Sequence, residues 1–301
     1  MPDLAPVVAH ISEQIRSIAG HPFDPAPPRL VGGGCINTAL TLRDGSHAYF
    51  VKLNQGQRLS MFEAEAAGLK ALAATGTLRV PAPLCTGVAA GQAYLVLEHL
   101  DLGGTPRNGA QAGPVQAGRL LAVLHRTTQG EFGWFRDNTI GASPQLNTPD
   151  SDWARFWANR RIGFQLDLAR RSGHGGTLQR SGEALLARLP GLLDHDPIPS
   201  LLHGDLWAGN LGYLRGGAPV VFDPAVYYGD READLAMTEL FGGFDRDFYA
   251  AYREAWPLDP GYGARRDLYN LYHILNHLNL FGGGYLAQAL DLMQRLLAQL
   301  R

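Results

Sequence analysis

HGDLWAGN, residues 203–210, places a histidine, a carboxylate and a carboxamide within one short segment. Apolar runs flank it, LL before and LGYL after, so the polar residues stand between two predicted strands. The next strand pattern, PVVFD, ends at Asp223. Because a hairpin brings its two ends together, we expect Asn210 and Asp223 to face each other, with Asp205 beside them.

These oxygen-bearing side chains suit phosphoryl transfer. A carboxylate and a carboxamide oxygen, completed by phosphate oxygens and water, are ordinary ligands of Mg²⁺. We therefore predict Asn210 and Asp223 as metal ligands and Asp205 as the residue that accepts or orients a hydroxyl proton. The segment keeps the spacing of the protein-kinase catalytic loop, H-R-D-L-x-x-x-N, with Gly204 in place of the arginine.

Phosphoryl transfer also needs a lysine to hold the phosphates of ATP, and lysine is rare in this chain. Only Lys52 and Lys70 occur. Lys52 lies in the alternating pattern 47–53, which predicts the third strand of an antiparallel meander. We therefore predict Lys52 as the phosphate-binding lysine.

A helix is predicted to follow this strand, over residues 60–75. Ser60 and Glu63 have the spacing of a capping box at its start. The usual partner of the phosphate-binding lysine is a glutamate on this helix, and Glu63 and Glu65 lie on different faces of it. We prefer Glu65 as the partner of Lys52.

Three consecutive glycines, Gly32, Gly33 and Gly34, join the first two predicted strands. Glycine lets backbone amides approach a phosphate closely, so this loop is a candidate cover for ATP. It matches neither G-x-G-x-x-G nor the Walker pattern. Only its position before the strand of Lys52 supports a role in phosphate binding. Cys35 follows it, either as a small residue chosen for fit or as an oxidisable thiol that slows ATP use.

The chain has 301 residues, a length that favours two lobes. Residues 1–98 are rich in strand patterns and predict an ATP-binding lobe. Residues 99–301 are helical by period and predict a catalytic and substrate-binding lobe, interrupted at 201–223 by the polar loop and its strands. The fold class predicted is α+β, with a small antiparallel sheet that carries one key helix and a large, mainly helical second lobe.

Composition excludes several classes of protein. Hydrophobic residues make up 46% and the net charge is −2, so we expect a globular chain without affinity for nucleic acid or an anionic membrane. The start is not a signal peptide, and no apolar run approaches the ~20 residues of a membrane span. Two cysteines, Cys35 and Cys85, form no disulfide framework, which favours the cytoplasm.

Several stretches together resemble the fructosamine kinase (ketosamine-3-kinase) family. That family belongs to the protein-kinase-like superfamily, with the aminoglycoside phosphotransferases and choline kinases. The matching stretches run through nearly the whole chain in family order: GGGCIN at 32–37, FVK at 50–52, EAEAAGLKAL at 63–72, PQLN at 144–147, RRIGFQLDLA at 160–169, LLHGDLWAGN at 201–210, VFDPAVYYGDREADLAM at 221–237 and LYNLYHILNHLNLFGGGY at 268–285.

The resemblance implies a bilobal protein-kinase-like fold with ATP and Mg²⁺ as cofactors. It implies phosphorylation of a sugar hydroxyl, at oxygen 3, on a ketosamine, the adduct that forms when a sugar glycates an amine. Phosphorylation destabilises the adduct and lets the amine be released. The resemblance further implies that the backbone of Glu98 and Leu100, in the hinge VLEHL, pairs with adenine.

The resemblance also suggests residues for the substrate side. Trp207 would form an apolar wall for the sugar ring. An acidic group would suit the amine of a ketosamine, and Asp230 and Glu232 are candidates, although one of them could pair with Arg231 as scaffold. Asp234 is expected to brace the catalytic loop. The residues predicted to contact substrate are Asn147, Arg161, Trp207, Asp230, Glu232 and His277.

Two rival functions stay open on the sequence alone. One is a related small-molecule kinase that acts on an aminoglycoside, choline or homoserine. The other is a pseudokinase that binds ATP without turnover, although decayed kinases usually lose a catalytic residue that this chain keeps. The sugar, the amine carrier and the choice between monomer and homodimer are also open.

Overall fold

The computed structural model of the protein describes residues 4–32, 36–103 and 113–299. A five-stranded antiparallel sheet occupies the first part of the chain, in the order β1-β2-β3-β5-β4. Its strands are β1 (Arg29–Val31), β2 (Thr38–Arg43), β3 (Ala48–Gln55), β4 (Pro83–Ala89) and β5 (Gln92–Glu98).

Helices precede, interrupt and follow this sheet. In the described part of the chain, none is long and apolar enough to cross a bilayer. A π-helical segment, Trp157–Gly163, joins α4 to α5. The helices are α1 (Ala5–Ala19), α2 (Leu59–Ala74), α3 (Gly113–Leu124), α4 (Trp153–Phe156), α5 (Phe164–Arg171), α6 (Thr177–Leu186), α7 (Glu232–Leu240), α8 (Arg246–Ala255), α9 (Tyr262–Phe281) and α10 (Gly284–Gln299).

Short strand pairs lie between the helices of the second part. The pairs are β6 (Asn138–Ile140) with β7 (Ser143–Gln145), β8 (Ser200–Leu202) with β11 (Tyr227–Gly229), and β9 (Leu211–Tyr213) with β10 (Pro219–Val221). The predicted α+β class, with a small antiparallel sheet and a large helical part, is confirmed. We keep 1–98 and 99–301 as the proposed lobes, whose boundary falls where β5 ends.

The period of two in the central strands decides where Lys52 points. Leu40, Val51 and Val96 pack with α1 on one face of the sheet. Lys52 follows Val51 and therefore faces the opposite side. It is paired in register with Leu95, which shares its core with α2. The sheet thus directs Lys52 toward the helix that carries the candidate glutamates.

The capping box predicted at the start of α2 is wrong. The helix begins at Leu59, directly after a 3₁₀ turn over Gly56–Arg58. Ser60 is therefore inside the first turn and not at the N-cap. The carboxylate of Glu63 lies 3.6 Å from the guanidinium of Arg136.

Helices α3 and α8 approach each other closely because α3 has a glycine at the contact. A Cβ on Gly118 would lie 2.2 Å from the carbonyl oxygen of Phe248, a backbone atom that cannot rotate away. Alanine would otherwise favour a helix by up to ~1 kcal/mol. Here the steric conflict outweighs that gain, because relieving it requires the two helices to separate.

We expect Gly118→Ala to lower the free energy of unfolding by about 1–3 kcal/mol. Gly263→Ala in α9 is the matched control, since a Cβ there meets nothing within 4 Å. Urea unfolding followed by circular dichroism compares the two variants. Equal stability of both variants would contradict the close packing of α3 on α8.

Candidate active site

The loop between β8 and β9, which carries Asp205 and Asn210, lies next to Asp223, which follows β10. The side-chain amide of Asn210 donates to the backbone oxygen of Asp205 at 2.8 Å and to its carboxylate at 3.2 Å. It also lies 3.5 Å from the backbone oxygen of Asp223. The β9–β10 pairing is responsible, since Phe222 N donates to the Asn210 carbonyl just beyond it at 3.2 Å. The hairpin thus brings Asn210 next to the backbone of Asp223, and a cation shared by their side chains stays a prediction.

Asp234 braces this loop, as the sequence predicts. Its two carboxylate oxygens accept from the backbone amides of His203 and Gly204 at 2.7 and 2.8 Å. Burial would raise the pKa of Asp234, but hydrogen bonding, first from His125 and then from the loop amides, brings it below the ordinary value. The carboxylate therefore stays ionised and holds the loop in place.

Gly204 is required where protein kinases have arginine. Its φ is 81°, in the left-handed region that favours glycine. A Cβ would also lie 2.0 Å from the carbonyl oxygen of Ala225. His203 next to it is buried, and its Nε2 donates to the Phe222 carbonyl at 3.1 Å. Burial lowers the pKa of His203, so the ring acts as a neutral bridge between the loop and the hairpin.

Lys52 lies between two carboxylates. Its Nζ is 2.6 Å from Oε1 of Glu65 and 2.7 Å from Oδ1 of Asp223. Burial would lower the pKa of Lys52, but the charges of Glu65 and Asp223 raise it above its ordinary value, so the lysine is protonated. The preference for Glu65 over Glu63 agrees with this geometry.

Asp205 is partly exposed beside this charged group. Burial and the negative charge of Asp223 raise the pKa of Asp205 to about 7, while the hydrogen bond from Asn210 works in the opposite direction. A carboxylate whose pKa lies near the working pH is suited to general base catalysis.

The donor set of Asn210 and Asp223 fits Mg²⁺. Asn210 uses its NH₂ group toward Asp205, which leaves its amide oxygen as an acceptor. Asp223 has a half-exposed side chain and a φ of 57°, in the left-handed region that few non-glycine residues adopt. Two oxygens of this kind would hold Mg²⁺ while phosphate and water complete its shell.

The rest of the predicted ATP site is described in part. Gly32 directly follows β1, whereas Gly33, Gly34 and Cys35 lie outside the described residues. At the hinge, the N–H of Glu98 donates to Ala82 O at 2.8 Å. The carbonyl of Leu100 accepts from Leu102. An adenine contact would therefore use the carbonyl of Glu98 and the N–H of Leu100, and it stays a prediction.

Two of the predicted substrate residues, Asn147 and Arg161, are buried supports. Both are fully buried. Arg161 donates to Leu146 O at 2.6 Å and to Oδ1 of Asn147 at 2.8 Å, and its guanidinium stacks over Tyr227. We correct the expectation of substrate contact, because their polar groups already join the π-helical segment to the loop after β7.

The two acids predicted to meet the substrate amine are buried as well. Asp230 accepts from Nε2 of His195 at 2.7 Å and from the hydroxyl of Tyr269. Glu232 forms a two-pronged ion pair with Arg265, at 2.6 and 3.0 Å. Both carboxylates are therefore scaffold, and the expectation of an acidic amine site is corrected.

The alternative partner for those acids, Arg231, is engaged elsewhere. Its guanidinium donates to Pro257 O at 2.6 Å and lies 4.2 Å from the ring centre of Trp256. Asp230 pairs instead with His195, and Glu232 pairs with Arg265. In each pair the two residues are more than 30 positions apart in sequence. Nothing in the local sequence pattern indicates these pairs.

Trp207 and His277 remain at the surface beside the loop. The ring of Trp207 is 37% exposed, and that of His277 is partly exposed. Phe241, which the sequence reasoning missed, connects them with centroid distances of 6.2 and 4.8 Å. Phe281 and Tyr285 also contact His277. The spacing of His277 and Phe281 on one helix face was an available signal, whereas Phe241 had none.

The sheet carries the buried Lys52, which pairs with Glu65 of α2. Asp205, Asn210 and Asp223 lie on the adjoining loops of the helical part. This arrangement defines a phosphotransferase of the protein-kinase-like class. The family model for fructosamine kinase matches residues 7–299. This chain belongs to the fructosamine kinase family.

Relatives of this chain agree with that assignment. It is 50% identical to a "Probable ketoamine kinase" of Synechocystis sp. over 289 residues, covering 95% of this chain and 96% of the relative. It is 43% identical to the chloroplastic protein-ribulosamine 3-kinase of Arabidopsis thaliana, covering 90% and 82%. A crystal structure titled "Putative fructosamine-3-kinase", from Haemophilus somnus, superposes with a TM-score of 0.86 at 30% identity, covering 95% and 96%.

The two glutamates of α2 provide a matched test of the site. In Glu65→Gln the lysine loses one of its two charged partners and stays at Asp223, where it competes with the metal. A hydrogen bond to a charged group contributes about 1.5–3 kcal/mol. We therefore expect the affinity for Mg–ATP, measured by calorimetry, to fall roughly ten- to hundredfold.

Glu63→Gln is the control for that variant, since its partner Arg136 is at the surface. An exposed ion pair contributes at most about 1 kcal/mol, so Mg–ATP affinity should change by no more than a few fold. The site as described would be contradicted if the two variants bound Mg–ATP equally well.

Proposed function

We propose that this protein is an ATP-dependent kinase that phosphorylates a sugar hydroxyl of a ketosamine, at oxygen 3. The observation that carries the proposal is the assembly around Asp205, a partly exposed carboxylate with a pKa near 7. It accepts from Asn210 and lies near Asp223, which in turn pairs with Lys52. The family and the relatives named as ketoamine and ribulosamine kinases support the acceptor class.

In the proposed reaction, Lys52 turns from Asp223 to the phosphates of ATP while Glu65 keeps it in position. Asn210 and Asp223 would hold Mg²⁺, which neutralises phosphate charge when bound. Asp205 accepts the proton of the sugar hydroxyl. The hydroxyl oxygen bonds to the terminal phosphorus, the bond from that phosphorus to ADP breaks, and ADP leaves with the electron pair.

Only residues of the second lobe would distinguish the alternative acceptors from a ketosamine. An aminoglycoside, choline or homoserine kinase would need the same lysine, metal ligands and base. The pseudokinase alternative is disfavoured by the geometry, because Lys52, Asp205, Asn210 and Asp223 lie in one place with their hydrogen bonds made. We also propose a cytoplasmic location, which the low cysteine content favours.

Purified protein with Mg–ATP should release ADP with fructose-lysine, ribulose-lysine or erythrulose-lysine as acceptor. Asp205→Asn should lower kcat by about 10²–10⁴ because proton transfer in the transition state is lost, while Mg–ATP affinity is nearly unchanged. Asp223→Ala should weaken Mg–ATP binding as well.

Asp167→Asn, a surface acid paired with Arg170, is the matched control and should keep full activity. Turnover only with choline, homoserine or kanamycin would overturn the acceptor class and keep the catalytic roles. Full activity of Asp205→Asn would overturn the mechanism.

A further inference from the structure

A ketosamine carries a protonated amine four bonds from the oxygen that is phosphorylated. The enzyme must therefore accept a positive charge close to Asp205. The two acids that the sequence offers for this task, Asp230 and Glu232, are buried and already paired. The site needs another way to recognise the cation.

A group of rings lies beside the catalytic loop, and we name it the ring cluster: Trp207, Phe241, His277, Phe281 and Tyr285. Phe241 lies between Trp207, at 6.2 Å, and His277, at 4.8 Å. His277 further contacts Phe281 at 5.5 Å and Tyr285 at 5.1 Å. The cluster therefore joins the catalytic loop to α9 and α10.

The ring cluster leaves large aromatic surface uncovered, and its Trp207 end lies next to the reacting residue. Trp207 is 37% and Phe281 is 52% exposed. Trp207 is two residues from Asp205, so their Cα atoms are at most about 7.6 Å apart. The indole also lies over Gly209, where a Cβ would be 2.3 Å from it. The backbone of the loop thus fixes the ring beside the site.

His277 contributes a hydrogen-bond acceptor to the ring cluster. Its Nδ1 donates to the carbonyl of His273 at 2.8 Å, so Nε2 carries the lone pair. Burial lowers the pKa of His277, which keeps the ring neutral and avoids repulsion of a cation. A neutral imidazole nitrogen accepts a hydrogen bond from an ammonium group, and aromatic faces attract it.

We propose that the ring cluster binds the protonated amine of the ketosamine and the first methylene groups of its carrier, with Nε2 of His277 accepting an ammonium hydrogen. This inference rests on the proposed function. Aromatic faces attract the cation without placing a further carboxylate beside Asp205 and Asp223.

The test compares two acceptors at saturating Mg–ATP. One is a ketosamine, and the other is the same ketose with an ether oxygen in place of the amine nitrogen, which is neutral. In Trp207→Leu and Phe281→Leu, kcat/KM for the ketosamine should fall about two- to thirtyfold, mainly through KM. For the ether, which keeps the apolar contact of the carrier methylenes but has no charge, the fall should be clearly smaller.

Trp207→Phe retains an aromatic face and should keep most of the preference for the charged acceptor. Phe135→Leu is the control, since Phe135 is 74% exposed and outside the ring cluster. Unchanged Mg–ATP affinity in every variant establishes that the ATP site is intact.

The two proposals fail in different ways. Turnover of the ketosamine with the same preference over the ether in both leucine variants overturns the inference and leaves the proposed function standing. No turnover of any ketosamine by the unchanged enzyme overturns the proposed function, and the inference fails with it.

Discussion

The buried cation of Lys52 is the interaction on which the two lobes and the site depend. It comes from the sheet, and its partners come from α2 and from the loop after β10, at 2.6 and 2.7 Å. A buried ammonium group without partners is strongly destabilising. The two carboxylates satisfy the ammonium group and so join α2 and the loop after β10 to the sheet.

The loop that carries Asp205 depends on a second layer of buried charge. Asp234 fixes the backbone of the loop, while Asp230 and Glu232 fix the start of α7 around it. These three acids are buried and already paired, so they cannot contact substrate. Of the acids discussed, only Asp205 and Asp223 can do so. The ring cluster beside the loop provides an uncharged surface next to these two acids.

Local patterns were sufficient for the hairpins, the lysine strand and the catalytic loop, because each depends on residues close in sequence. The alternation of side chains along β3 predicts that Lys52 lies on the sheet face covered by α2. The β9–β10 hairpin likewise predicts that Asn210 lies near Asp223. Burial of Arg161 and Glu232 was not predictable in this way. Charged residues are expected at the surface, and their partners here come from distant segments that only the tertiary fold brings near. The first turn of α2 was mispredicted because a 3₁₀ turn before it starts the helix earlier.

The central claim is that the hydroxyl phosphorylated is the one at carbon 3 of a ketosamine. Phosphorus-31 and proton NMR of the product formed from ribulose-lysine or fructose-lysine with Mg–ATP tests it directly. The account predicts a phosphate ester at oxygen 3 that then decays with release of the free amine. An ester at another hydroxyl, or phosphate transferred to water with the ketosamine unchanged, would contradict it.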